Sequence, residues 1–222
     1  TFDGAGPTIK TGAANTFFNL AVAVSGTASM AAGSAGLDVD GTFTLTTGTF
    51  APGTLTHEVA GAWDDTGGTF APTAGTIEFN GADATIKHAA ANNFFHFRVN
   101  STGAKSMAAG SVGIDVNGDV TLAAGTFTPG ALTDHAVAGN WDDSGGTFLP
   151  TAGTITLDGS AASTIRRGGT NRFFTLTMTG GGAKSMHASS TGLDIDGALT
   201  LLAGTSWAPG SLTHTVAGNW DD

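Results

Sequence analysis

The chain of 222 residues has no cysteine and no tyrosine, only six prolines, and charged side chains at just 12% of positions. Without cysteine there is no thiol nucleophile, no disulfide and no cysteine-based zinc site. Basic residues are the scarcer sign, 8 against 18 acidic ones, for a formal net charge of −10. Only Arg166 and Arg167 adjoin, so the clustered cations that grip a phosphate backbone are missing and nucleic acid is excluded as a partner. Long apolar runs are missing as well. No stretch approaches the roughly 18 residues of a spanning helix, so membrane insertion is not expected. The opening TFDGAGPTIK lacks the basic and apolar regions of a secretion signal.

What abounds is small: 35 Gly, 36 Thr and 36 Ala make up nearly half the chain. Glycine costs about 1 kcal/mol against alanine inside a helix and threonine is weakly disfavoured, so a helical bundle is excluded. Glycine does not recur at every third position, which excludes collagen. The 14 Phe and 4 Trp, in a chain that is 40% apolar, supply surface to bury and argue against disorder.

Self-similarity organises the rest. Residues 69–146 and 147–222 are two copies of one sequence, and 1–68 are a partial earlier copy. Trp63, Trp141 and Trp220 lie 78 and 79 residues apart, and Met30, Met107 and Met186 lie 77 and 79 apart. A shorter period sits inside: Val39-Asp40-Gly41, Val59-Ala60-Gly61 and Phe79-Asn80-Gly81 recur at 20, Val99 follows at 20, and Val116-Asn117-Gly118 at 17. Each unit therefore reads as four coils of about 20 residues. Within a coil, apolar and polar residues alternate at period two, as in Thr42-Phe43-Thr44-Leu45-Thr46, the signature of strands. Strands this short bury an apolar face only by stacking on the equivalent strand of the next coil. The expected fold is all-β: one continuous parallel β-helix, or β-solenoid, over residues 1–222.

The strings GNWDDSGGTFLPTAGTITLDG and GLDIDGALTLLAGTSWAPGSLTHTVAGNW resemble tandem repeats of large bacterial cell-surface and extracellular proteins. They are similar also to the stalks of filamentous-haemagglutinin-like adhesins and autotransporter passengers. The resemblance covers essentially the whole chain and implies a right-handed coil, an extracellular or cell-surface location and a structural role. It transfers no catalytic residue.

Several constellations invite chemistry. Asp38-Val39-Asp40, Asp115-Val116-Asn117 and Asp194-Ile195-Asp196 point oxygen ligands outward, as calcium would require. Alignment puts Asp38 beside Glu58, but Asp115 beside Ala136 and Asp194 beside Thr215, so the pairing does not repeat and a solvated face is the expectation. No cofactor is implied. The six His include a recurring Leu-Thr-His corner at His57 and His214, shifted by one at His135, without the geometry of a catalytic triad or a carboxylate pair. Trp-Asp-Asp at Trp63, Trp141 and Trp220 reads as a core or corner Trp followed by a turn-forming Asp. A threonine ladder of the ice-binding kind fails at Ala62 and Asp64. Asn100-Ser101-Thr102 is a lone glycosylation sequon.

The Phe pairs Phe17-Phe18, Phe94-Phe95 and Phe173-Phe174 stand apart, because neighbours on a strand face opposite sides. One exposed ring per unit would form a spaced apolar stripe for lateral association. Neither end reads as a cap. The expectation is a non-enzymatic structural region of an extracellular fibre or adhesin stalk, whose partner is itself, head to tail or laterally, or further repeats of the same chain. The alternatives are an adhesive module for a glycan or receptor and, behind it, an ice-binding solenoid or a polysaccharide-active β-helix enzyme.

Overall fold

A computed structural model describes all residues from Thr1 to Asp222 and contains strands, turns and bends but no helix. Every strand pairing is parallel, and partners lie 20 to 24 residues apart in sequence. The chain winds as a β-solenoid of about ten coils. At about 4.8 Å per stacked strand the rod is roughly 48 Å long.

The register resolves each coil into three faces. On the first, Phe17, Val39, Val59, Phe79, Val99 and Leu122 stack in order, and Val120, Trp141, Ile165 and Met186 carry the ladder on. On the second, Leu20, Phe43, Trp63, Ile86 and Met107 stack, followed by Lys105, Phe127 and Phe148 and later by Phe173, Ile195 and Val216. On the third, Ala28, Phe50 and Phe70 lead to Phe94, Val116, Val137, Leu157, Met178 and Leu201, with Trp220 stacked on Leu199 at the end. Period-two alternation sends these side chains inward, where 36 buried apolar residues form one continuous core. Aromatic rings stack along it, as Phe43 does on Trp63 at 4.3 Å between centroids. Long strands such as Leu20–Met30 and His96–Met107 bend through a corner and serve two faces each.

Corners explain the apolar-x-Gly signature. Gly61 lies against Gly41, where a Cβ on Gly61 would come within 2.5 Å of the Gly41 carbonyl oxygen. Backbone stacks on backbone there, and only glycine fits.

The four steps expected per unit are present, but the last differs in kind. Val39 to Val59, Phe79 and Val99 are full turns on the first face, whereas the 17-residue step to Val116 ends on the third face, because Val99 itself stacks under Leu122. Three turns of three faces plus this two-face step make eleven faces, or three and two-thirds coils per unit. Corresponding residues of successive units therefore stand a third of a turn apart. Trp63 lies on the second face, Trp141 on the first and Trp220 on the third.

Candidate functional site

The recurring histidine is a brace between coils. His57 Nδ1 accepts the Leu37 N–H at 3.0 Å while its Nε2–H donates to the Pro52 carbonyl at 3.1 Å. His135 does the same with Ile114 and Pro129, and His214 with Leu193 and Pro209. The one-residue insertion in the middle copy changes nothing here, because Asp134 turns its carboxylate to accept the Gly113 N–H at 2.9 Å. Burial lowers the His57 pKa to about 4 and that of His135 in the same direction, so both rings are neutral at pH 7.

In the Trp-Asp-Asp triplets the two carboxylates part company. Asp64 and Asp142 face outward, accept the N–H groups of Thr66 and Ser144 in local turns, and pair with Lys87 and Arg166. Asp65 and Asp143 are wholly buried. Asp65 Oδ2 accepts Trp63 Nε1–H at 3.0 Å and His88 Nδ1–H at 2.7 Å, and its Oδ1 accepts Ala89 N–H at 2.8 Å from the following coil. Asp143 accepts Trp141 Nε1–H at 2.9 Å and Gly168 N–H at 2.7 Å, and burial raises its pKa. The expected turn role thus belongs to the first Asp, and the second is an inter-coil lock. Beside it, Asn92 and Asn171 stand where a coil has no strand. Their amides accept the Phe70 and Phe148 N–H groups and donate to the carbonyls of Asp65 and Gly68, and of Asp143 and Gly146. A side-chain amide carries the backbone ladder across the gap.

Two buried lysines went unnoticed in the sequence. Lys105 Nζ donates to the carbonyls of Ala60, Gly81 and Ala82, and Lys184 Nζ to Gly159 at 2.7 Å. Burial lowers the pKa of both. The signal was the repeated Ala-Lys-Ser-Met, which places Lys two residues before an inward Met and so on the inward phase. His57, Asp65, Asp143 and both lysines are occupied by coil-to-coil bonds, and none opens on a groove.

The outer faces carry the remaining candidates. Asp38 stacks on Glu58 and Glu58 on Glu78, while the later registers place Asp115 on Ala136 and Asp194 on Thr215, as alignment indicated. Each Glu is already engaged, Glu58 by Asn80 at 2.6 Å and Glu78 by Asn100 at 2.8 Å and Arg98 at 3.4 Å. No group of three or more His, Asp or Glu gathers in metal-binding geometry. Two shallow depressions of about 270 and 230 Å³ adjoin on the first face and share Asp119 and Thr121.

Each Phe pair splits across the wall, with Phe94 and Phe173 buried, Phe17 half-buried at the first coil, and Phe18, Phe95 and Phe174 outward. Phe18 is 77% exposed, whereas Phe95 rests in an apolar pocket with Leu55, Pro72 and Ala74. Because Phe17 is on the first face, Phe94 on the third and Phe173 on the second, the outward rings follow a spiral and do not line up as one stripe.

The ends of the rod are apolar. Phe2, Phe17 and Phe18 crown the first coil, and Val216, Trp207 and the half-exposed Trp220 the last. Compared with known protein families, curated proteins and solved structures, the chain matches none.

Proposed function

We propose that this chain is a non-enzymatic structural rod, a repeat region of an extracellular fibre or cell-surface adhesin stalk. The observation that carries the reading is that all three ladders run the length of the molecule over one unbroken core, with the buried polar groups spent on joining coils. Parallel backbone bonds along the axis resist extension, and small outward Thr, Ala and Gly leave a surface with little to bind. Tethered by its ends and pulled, the purified chain is expected to hold its length until it gives way coil by coil. Collapse at thermal forces would reject the rod reading.

The adhesive reading has one observation in its favour, the adjoining depressions lined by His96, Arg98, Asp119, Asn140 and Arg166. Saturable binding of a glycan that is lost in Arg98→Ala and Arg166→Ala variants would favour it over an inert stalk.

A further inference from the structure

We propose that the two ends of this rod are complementary docking surfaces for a second copy of the chain, which adds head to tail in the internal register. The inference rests on the structural reading above and names its partner.

The pairing is already drawn inside the molecule. Phe2 corresponds in the repeat to Leu157, and Val216 to Val137; Leu157 stacks on Val137. Ile9 corresponds to Ile165 and Trp220 to Trp141; Ile165 stacks on Trp141. A copy placed on the last coil in that register sets Phe2 over Val216 and Ile9 over Trp220, and covers the two apolar ends with each other. The backbone edges agree. Thr215 and Ala217 donate downward to Leu193 and Ile195, which leaves the Val216 N–H and C=O facing outward, while Phe2 exchanges bonds with Ala21 and Ala23 and leaves the Thr1 carbonyl and Asp3 N–H facing outward. Within the rod the corresponding bond is made, Asp158 N–H to Val137 at 3.1 Å. Thr11 of the added copy, which stands where His88 and Arg167 stand in later units, comes over Asp222, the counterpart of Asp65 and Asp143. On the remaining face the counterpart of residues 66–77 is missing between the copies, so a notch one strand high is left above Trp207.

A cysteine-free chain makes the register directly testable. Thr156 pairs with Ala136, so Thr1 of one copy falls beside Thr215 of the next, at a parallel-strand spacing that a disulfide spans. The two positions lie at opposite ends of one chain, so any bond between them is intermolecular. Mild oxidation of the Thr1→Cys/Thr215→Cys variant is expected to give a ladder of linear multimers on a non-reducing gel, several times more abundant than with Thr8→Cys/Thr215→Cys, which is out of register. Equal yields from the two variants would overturn the proposal. Small-angle scattering of the unoxidised chain separates this from the parent reading: a monomeric rod about 48 Å long without a register-specific ladder defeats the stacking and leaves the stalk intact, whereas a compact or expanded particle defeats the stalk.

Discussion

A neutral imidazole that accepts one backbone N–H and donates to a carbonyl makes the coil sensitive to acid. The His57 pKa is about 4 in the folded chain against 6.5 when exposed, so the unfolded state takes up the proton first as pH falls. The stability this ring contributes is complete above pH 6.5 and is lost as pH descends towards 4, amounting to about 3 kcal/mol for the single site. Urea midpoints are expected to fall between pH 7 and pH 4.5, before most carboxylates titrate, and the slope should be shallower in His57→Gln. A flat profile over that window would contradict the brace. The adjacent carboxylates offer a sharper contrast: Asp143→Ala is expected to cost about 2–4 kcal/mol, since buried donors from Trp141 and Gly168 lose their acceptor, while Asp142→Ala costs about 0.5–1. Equal losses by urea titration would refute the division of labour. The sequence displayed Trp-Asp-Asp plainly, yet which Asp turns inward depends on the turn at Asp64 or Asp142, and the partners 23 to 25 residues on differ in kind, His88 in one unit and Arg167 in the next.

Strands were legible where the two-residue period was clean, and their register followed from aligning Val39, Val59, Phe79 and Val99. The 17-residue step resisted the same treatment. Spacing alone does not distinguish a short turn from two faces of a longer one, and the bent strand His96–Met107, whose register shifts at Asn100, decides it. The stripe expected of the Phe pairs turned on that step, since its two-face advance sends Phe18, Phe95 and Phe174 to different sides. The corners were easier to read, because glycine recurs where one backbone passes directly over another. Gly61→Val is expected to cost more than 3 kcal/mol or to prevent folding, whereas Ala62→Val, on a half-buried position next to it, changes stability by less than about 1. Circular dichroism and urea melts check both, and comparable effects would mean the corner has room that the Gly41 contact denies.

At the scale of the whole rod, a unit of three and two-thirds coils is a modular length. Removing residues 69–146 joins Gly68 to Thr147 in the sequence context that Gly146 already provides, so the shortened chain should fold. Scattering is expected to show a rod shorter by about 18 Å with an unchanged cross-section. Loss of the β signal, or a thicker particle, would show that the units are not interchangeable. The places without a strand, bridged by Asn92 and Asn171, are where the wall is thinnest in hydrogen bonds, and they fall on the third and second faces. A unit that returned to the same face each time would collect such places along one side, like perforations, and the shaft would fold towards that side. Turning each unit by a third deals them out around the circumference, and the shaft has no preferred direction in which to buckle.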